Sequence, residues 1–199
     1  MSGTDQQTRL FLGLMVEPEV GGRLARKSAA ALDGEPGIRL YSPEDLHLTL
    51  VFLGAFPTHR VERLKGALQE EIRGLLAPEL TLEQAVSFPS ADQPRALAVR
   101  VGEEPDRAGR LAALRNRALQ AALCTGWRPP RVERERPFQP HVTVARCKGG
   151  EAAELGPFLR LDMGARWLAV DVEVIESRPE SAESRYRAIG NVPLVVRPD

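Results

Sequence analysis

The sequence HLTLVFLG at residues 47–54 is the first of two stretches that decide the fold. His47 and Thr49 stand two residues apart, and because side chains alternate across a β-strand, both project from the same face. The aliphatic residues beside them project from the opposite face, where they can enter a hydrophobic core. The stretch therefore predicts a strand from Leu46 to Leu53 that presents an imidazole and a hydroxyl side by side.

The same pattern of histidine, aliphatic residue, threonine and aliphatic residue returns as HVTV at residues 141–144, almost half the chain later. The chain has three histidines and seven threonines, so two histidines acquiring a threonine two positions later by accident is roughly a 0.4% coincidence, even before the aliphatic residues are counted. The alternative, two unrelated histidines on ordinary strands, is therefore disfavoured. Strands placed symmetrically would bring two imidazoles and two hydroxyls, those of His47, Thr49, His141 and Thr143, around one cleft.

Interleaved strands and helices follow from the periodicity of the whole sequence. Strands are predicted over residues 9–16, 38–41, 46–53, 80–88, 96–101, 141–147, 167–177 and 186–196. Helices are predicted over residues 18–32, 58–76, 105–124 and 151–159. Because two-faced alternating strands favour antiparallel pairing, we expect an α+β fold. Since the sequence has no clear interdomain linker, residues 1–199 are predicted to form one domain made of two related lobes.

Net charge, the length of apolar runs and the spacing of cysteines exclude several classes of protein. The chain of 199 residues carries 27 basic and 27 acidic residues, and zero net charge argues against a broadly basic nucleic-acid-binding surface, although it permits a local basic cleft. The longest apolar run, Leu10 to Val16, is far shorter than the roughly 20 residues of a membrane-spanning helix. Cys124 and Cys147 lack the spacing of a metal site or a disulfide framework, which predicts reduced thiols in the cytoplasm.

Several further segments join the two motifs in resembling one known family. They are RLF at residues 9–11, LHLTLVFLG at 46–54, FP at 88–89, PHVTVAR at 140–146, Ser177 and Tyr186. Together they resemble the 2H phosphoesterase superfamily, and within it the bacterial and archaeal RNA 2′,3′-cyclic phosphodiesterases, historically called 2′-5′ RNA ligases. The resemblance implies a pseudo-twofold, two-lobed α+β fold, with antiparallel sheets lining a central cleft, helices packed outside and the two motifs facing each other in the cleft.

The activity implied by the resemblance is hydrolysis of RNA 2′,3′-cyclic phosphate ends to a 2′-phosphate, together with reversible 2′-5′ RNA ligation. Two histidines suit this chemistry, since an imidazole with a reference pKa of about 6.5 can serve as base or acid near neutral pH. The resemblance assigns the acid to His47 and the base to His141, whereas the residues themselves do not distinguish the two roles. Thr49 and Thr143 would donate hydrogen bonds to phosphate oxygens; ordinary strand propensity is the alternative explanation for both.

The resemblance also implies that Arg146, five residues after His141, binds the phosphate. Strict alternation would place Arg146 on the opposite face from His141, so a bend or the strand end must turn it inward. Phe52 stands at the same offset after His47, where it could stack a nucleobase or be buried in the core. Phe11 has the same two interpretations, with the core favoured.

An arginine-rich loop precedes the second motif and contains Arg128, Arg131, Arg134 and Arg136. These arginines could hold an RNA backbone, but a solvated loop is the default interpretation. This loop departs from the family pattern, as does Glu183-Ser184-Arg185, where the family often has glycine. His59 lacks the motif and is expected to be solvated. No carboxylate cluster accompanies the histidines in the sequence, and we expect catalysis without a metal or another cofactor.

The sequence leaves two other functions open. One is a phosphodiesterase that acts on 2′-5′-linked oligonucleotides or small cyclic nucleotides, and the other is an RNA- or nucleotide-binding module without catalysis. The paired motif argues against the second, because binding alone does not require two titratable imidazoles. We expect the partners to be RNA ends or nucleotides with a 2′,3′-cyclic phosphate, and we expect a cytoplasmic monomer without membrane contact.

Overall fold

The structure is a computed structural model that describes residues 6–131, 133, 137–148, 154–178 and 185–197. Its strands are β1 (Gln7–Met15), β2 (Ile38–Leu40), β3 (His47–Pro57), β4 (Glu79–Phe88), β5 (Ala96–Glu103), β6 (His141–Cys147), β7 (Arg166–Leu168), β8 (Asp171–Ser177) and β9 (Tyr186–Pro193). Its helices are α1 (Pro18–Ala31), α2 (Val61–Ile72), α3 (Arg110–Cys124) and the short α4 (Gly156–Leu159). Single 3₁₀ turns lie at Pro43–Asp45, Thr58–Arg60 and Pro105–Arg107.

The described strands form one curled antiparallel sheet in the order β7-β4-β5-β6-β3-β1-β8-β9, and β2 pairs with the C-terminal part of β6. The two ends of the sheet approach each other. The Ala77 amide donates to the Val195 carbonyl at 2.9 Å, and the Val195 amide donates to the Leu75 carbonyl at 2.8 Å. Helices combined with an antiparallel sheet confirm the predicted α+β class, and both motifs lie on the adjacent central strands β3 and β6.

β3 and β6 pair at Leu48 and Val142, in the middle of the two motifs. Both side chains are fully buried, so the motif histidines and threonines lie on the other face of the sheet. The antiparallel direction sets the histidine of each motif beside the threonine of the other. The two motifs are therefore related by an approximate twofold axis that passes between Leu48 and Val142.

Each motif strand carries a β-bulge directly after its threonine. On β3, Leu50 is the extra residue between two that pair with adjacent residues of β1. On β6, Val144 is the extra residue between two that pair with adjacent residues of β5, and both Val144 and Ala145 are buried. A bulge interrupts the alternation of faces. It therefore returns Arg146 to the face that carries the motif histidines, which is the bend that its position in the sequence requires.

The helices cover the hydrophobic core to which the motif leucine and valine belong. α2 buries Val61, Leu64, Leu68 and Ile72, the face that its three- and four-residue spacing predicts. α3 packs against α2 and buries two leucines and three alanines. Burying one leucine side chain contributes about 1.5–3 kcal/mol, so this core holds β3 and β6 as a rigid support for the site.

The single strand predicted over residues 167–177 is wrong, because the chain forms two strands there in different parts of the sheet. β7 pairs with β4, whereas β8 pairs with β1 and β9. Between them, backbone hydrogen bonds of Ala169 and Val170 go to the segments that precede β4 and follow β9. Alternation along one strand would place Leu168 and Val170 on the same face as the buried Val172 and Val174, but they are 38% and 44% exposed. Apolar alternation alone does not reveal where a chain changes its pairing partner.

Two helices are shorter than the sequence predicts. The helix predicted over residues 105–124 begins at Arg110, because a 3₁₀ turn and Gly109, with a φ of 94°, precede it. The helix predicted over residues 58–76 is a 3₁₀ turn followed by α2, which ends at Ile72. Of the helix predicted over residues 151–159, the first three residues lie outside the described part of the chain and the last four form α4.

Candidate active site

The two motif histidines are anchored in the same way. The Nδ1 atom of His47 lies 2.7 Å from the backbone carbonyl oxygen of Asp45, and the Nδ1 atom of His141 lies 2.7 Å from that of Gln139. Because a carbonyl oxygen only accepts hydrogen bonds, each Nδ1 carries a proton and donates. Nε2 of each ring is therefore the nitrogen left for proton transfer to or from a substrate.

The segments that enter β3 and β6 fix these carbonyls. Asp45 ends a 3₁₀ turn, is almost completely buried, and accepts a hydrogen bond from Ser42 Oγ at 3.1 Å. Before the second motif, the Pro140 carbonyl accepts a hydrogen bond from the Val101 amide at 3.0 Å, which ties the residue before His141 to β5. The orientation of each imidazole is thus set by ordered backbone before any substrate binds.

Aromatic rings enclose the histidines, His47 more completely than His141. Phe11 stacks on His47 with ring centroids 4.6 Å apart and an interplanar angle of 30°, and Tyr186 approaches the same imidazole edge-on, also at 4.6 Å. Phe88 lies 4.9 Å from the His141 ring. Phe11 is 3% exposed, so the structure places it as a buried wall behind His47.

Both histidines have a lowered pKa and are uncharged at neutral pH in the free protein. Burial is the largest cause and lowers the pKa of His47 to about 4; Asp45 opposes this, whereas Arg146, and His141 when it is protonated, lower it further. Burial also lowers the pKa of His141, together with the charges of Arg146 and Arg100. A negative charge nearby raises the pKa of an imidazole. A histidine that acts as an acid must therefore gain its proton when an anionic substrate is bound.

Arg146 is held by a buried tyrosine. Its Nε donates a hydrogen bond to the hydroxyl oxygen of Tyr41 at 3.2 Å, and Tyr186 is hydrogen-bonded to the same hydroxyl. Burial raises the pKa of Tyr41, but the hydrogen bonds from Arg146 and Tyr186 and the nearby guanidinium charges outweigh burial and lower it. Burial and the bond to Tyr41 raise the pKa of Tyr186, which keeps its proton and donates. Tyr41 therefore acts as the acceptor that orients Arg146.

Sequence reasoning missed Tyr41 and Asp45. Tyr41 lies 105 residues from Arg146, and no local pattern links the two. The signal that could have found Asp45 is the turn sequence Ser42-Pro43-Glu44-Asp45 directly before the first motif.

A cleft of about 610 Å³ opens beside the motifs. Its walls include Thr49, His141, Thr143 and Arg146, so the structure brings both threonines, one imidazole and the guanidinium to one cavity. His47 lies on the same face of the sheet and is more enclosed, between its aromatic neighbours. The polar groups nearest the motifs can donate and accept protons and can compensate the charge of a phosphate.

The walls of the cleft also include Arg115 of α3 and Glu133 and Phe138 of the segment between α3 and β6. Phe52 lies outside this cleft, in a separate depression of about 390 Å³, where the Arg9 guanidinium lies 5.3 Å from its ring centroid. The structure therefore brings Phe138 rather than Phe52 to the cleft as an aromatic surface.

Other residues singled out in the sequence lie apart from the cleft. His59 is exposed, as predicted, and accepts a hydrogen bond from a neighbouring arginine at 3.3 Å. Arg128 and Arg131 are exposed on the arginine-rich loop. Arg134 and Arg136 fall outside the described residues, so the interpretation of this loop stays a prediction.

No three histidine, cysteine, aspartate or glutamate side chains converge as metal ligands would among the residues that the structure describes. Both cysteines, Cys124 and Cys147, are free thiols. Within the described ranges, no helix has the length and apolar character needed to cross a bilayer.

Known proteins are similar to this chain in sequence and in fold. The family model of the 2′-5′ RNA ligase superfamily matches residues 22–176. The chain is 32% identical over 158 residues to an RNA 2′,3′-cyclic phosphodiesterase of Aeropyrum pernix, a match that covers 77% of this chain and 78% of the relative. It is 29% identical over 141 residues to one of Archaeoglobus fulgidus, with 70% and 73% covered. The structure of E. coli LigT complexed with 3′-AMP has the same fold, with a TM-score of 0.71, 22% identity, and 95% of this chain and 99% of that chain covered.

Proposed function

Because this chain belongs to the 2′-5′ RNA ligase superfamily of 2H phosphoesterases, we propose that it hydrolyses RNA 2′,3′-cyclic phosphate ends to 2′-phosphates without a metal ion. The observation that carries the proposal is the pair of identically anchored histidines beside one cleft. Each has Nδ1 bound to the backbone and Nε2 left for the reaction. Two such groups suit a displacement at phosphorus, which needs a base on one side and an acid on the other.

The phosphate is bound by the remaining polar groups of the cleft. The hydroxyls of Thr49 and Thr143 donate hydrogen bonds to the two non-bridging oxygens. Arg146 supplies a positive charge against the negative charge that builds up on these oxygens in the transition state. Tyr41 fixes the guanidinium through the bond to Nε, which leaves the terminal nitrogens to bind phosphate.

In the proposed reaction the two histidines act on opposite sides of phosphorus. Nε2 of His141 takes a proton from a water molecule, and the water oxygen forms a bond to phosphorus. The bond between phosphorus and the 3′ oxygen breaks, and Nε2 of His47 gives that oxygen a proton. The products are a 3′-hydroxyl and a 2′-phosphate. Each proton transfer of this kind contributes about 10²–10⁴-fold to the rate.

The surroundings of the two rings support this assignment of roles. The charge of Asp45 raises the pKa of His47, whereas the carbonyl bond to Nδ1 is common to both histidines. Burial still lowers the pKa of His47 to about 4, so His47 takes up its proton only when the anionic phosphate offsets that burial. His141 has Arg100 as its cross-strand partner, and this cation favours the neutral imidazole that a base requires, whereas Arg146 lowers the pKa of both histidines and does not distinguish them. A neutral His141 and a protonated His47 are the pair that hydrolysis needs at its start.

Ligation uses the same groups. When a 5′-hydroxyl replaces the water molecule, the displacement joins two RNA ends through a 2′-5′ phosphodiester bond. Cleavage of that bond runs the step backwards, and the two histidines then exchange their roles. We propose that both directions are open to this site.

The test is hydrolysis of a short RNA with a 2′,3′-cyclic phosphate end by wild type and by His47→Ala and His141→Ala. Each variant is expected to lose at least 100-fold in kcat with an unchanged circular dichroism spectrum. His59→Ala is the matched control and is expected to keep full activity, because His59 is exposed and outside the cleft. Near-wild-type turnover by either motif variant, or a 3′-phosphate as the product, would contradict the mechanism.

The same assay separates the other candidate functions. A panel that adds 2′-5′-linked oligonucleotides and small cyclic nucleotides identifies the preferred substrate, and binding to every member with turnover of none would support a module without catalysis. Full activity in excess chelator is expected. Loss of activity that zinc or manganese restores would refute metal independence.

We further propose that the enzyme works in the cytoplasm as a monomer of one domain. The sheet continues from the first motif strand to the second, which suits a single domain. The two free thiols suit a reducing compartment. A monomer in sedimentation, one cooperative unfolding transition and activity in the cytosolic fraction are the expected results. A stable dimer or two separate transitions would contradict this proposal.

A further inference from the structure

The wall of the cleft holds an ion pair that the proposed chemistry does not use. Arg115 Nη2 lies 3.4 Å from Glu133 Oε2, and the two side chains are only 16% and 15% exposed. Both line the same cavity as His141. A buried ion pair contributes little net stability, because removing both charges from water is costly. Its place on a cleft wall therefore suggests a role in binding.

The Glu133 carboxylate keeps acceptor capacity on both oxygens. Oε1 accepts a hydrogen bond from the Phe52 amide at 2.9 Å, and Oε2 faces Arg115. A carboxylate offers about two lone pairs on each oxygen. One acceptor site per oxygen therefore remains. Two neighbouring acceptors of this kind match a ligand that presents two adjacent N–H donors.

Phe138 supplies an aromatic surface beside this carboxylate. The Arg115 guanidinium carbon lies over the Phe138 ring, 5.5 Å from its centroid, so the two side chains form a cation–π contact. Arg115 Nε is buried and has no hydrogen-bond partner in the described part of the chain. The fold alone thus does not satisfy this arginine. Proteins read unpaired nucleobases with such a combination of a stacking ring and polar groups at the base edge.

We propose that Arg115, Glu133 and Phe138 form a subsite that takes the nucleobase of the nucleotide carrying the cyclic phosphate and prefers guanine. Guanine presents adjacent N1–H and N2–H donors to the two free acceptor sites of Glu133. Adenine and cytosine present one amino group beside a ring-nitrogen acceptor, which would face a carboxylate oxygen. Uracil presents one N–H between two carbonyls. This inference rests on the proposed function, because the phosphate bound at the motifs brings its nucleoside into the cavity that Arg115, Glu133 and Phe138 also line.

The experiment measures kcat/KM for the four nucleoside 2′,3′-cyclic monophosphates. The wild type is expected to favour guanosine about tenfold over each of the others, since a bidentate base contact gives discrimination of this order. Glu133→Gln replaces one acceptor with a donor. It is expected to remove the preference by lowering kcat/KM for guanosine, with the other three changed less than about twofold.

Glu71→Gln is the matched control. Glu71 pairs with Arg117, on the same helix as Arg115, at 3.2 Å and outside the cleft. The same chemical change there is expected to leave the guanosine preference intact. Equal kcat/KM values for all four bases in the wild type would overturn the inference while leaving the proposed function standing. A uniform loss in Glu133→Gln for all four bases would also overturn it, because Glu133 would then only anchor its loop.

Binding measurements test the guanine preference of the subsite independently of turnover. Calorimetry with the four nucleoside 2′-monophosphates is expected to show the tightest binding for guanosine, and weaker binding of guanosine to Glu133→Gln. If the wild type hydrolysed none of the cyclic nucleotides, the proposed function would fail for them, but a guanosine preference in binding would still support the subsite. Equal affinities for the four bases would refute it.

Discussion

Replacing Tyr41 with phenylalanine removes the hydroxyl that orients Arg146. Arg146 Nε donates to this oxygen at 3.2 Å, and the tyrosine is 7% exposed, so water has little access to replace the lost acceptor. A hydrogen bond that involves a charged group contributes about 1.5–3 kcal/mol. If this energy holds Arg146 against the phosphate, its loss lowers kcat/KM about 10- to 100-fold, since 1.4 kcal/mol corresponds to a factor of ten.

The assay compares initial rates for wild type, Tyr41→Phe, Arg146→Ala and the double variant on an RNA with a 2′,3′-cyclic phosphate end. Tyr41 acts through Arg146, so Tyr41→Phe should change the rate little once Arg146 is already alanine. Thermal unfolding of each variant separates this effect from loss of folded protein. The reasoning is refuted if Tyr41→Phe keeps wild-type kcat/KM while Arg146→Ala loses activity. It is equally refuted if the two losses multiply in the double variant.

Three other properties follow from the same geometry. Between pH 6.5 and about 4 His47 is protonated in the unfolded chain but stays neutral in the folded protein, so the free energy of unfolding should fall on acidification by up to about 3 kcal/mol. Urea titrations at pH 7 and pH 4.5 measure this fall. An equal fall in His47→Gln would contradict its assignment to His47. Leu48→Ala should cost about 2–5 kcal/mol, because Leu48 is fully buried where the motif strands meet, and a cost below about 1 kcal/mol would argue against that packing. Substrate binding should depend weakly on salt, with a log–log slope near −0.7 for one bound phosphate, whereas a slope of about −3 would show contacts along a longer RNA backbone.

The sequence alone predicts much of the framework, because hydrophobic periodicity reports burial. The spacing of apolar residues gives the buried face of α2, and the bounds of His141–Cys147 match the prediction. The two motifs predict that four side chains share one face, since that follows from alternation on a strand. Periodicity does not report which strand a segment pairs with. The sequence therefore does not predict that β7 and β8 separate at Ala169 and Val170, where the pairing partner changes from β4 to β1.

The details of the site depend on contacts between distant residues. The bulge at Val144 turns Arg146 toward the cleft, but two adjacent aliphatic residues fit an ordinary strand equally well in the sequence. The partnership of Tyr41 with Arg146 depends on the pairing of β2 with β6, and Phe52 lies in a separate depression beside Arg9 rather than in the cleft. Each of these features is decided by tertiary packing, which no local pattern encodes.

In the proposed reaction one histidine gives a proton while the other takes one, so the two halves of this nearly symmetric arrangement must differ. The backbone anchors of the two rings are the same, so the difference must come from their neighbours. His47 has the carboxylate of Asp45 two residues before it, whereas the equivalent residue before His141 is the uncharged Gln139. At the fifth position after each histidine, the first half has Phe52 and the second has Arg146. Arg146 lowers the pKa of both rings, so the charges that distinguish them are Asp45, which raises the pKa of His47, and Arg100, which lowers that of His141. These two charges favour His47 as the acid and His141 as the base once a bound phosphate offsets the burial that holds the pKa of His47 near 4.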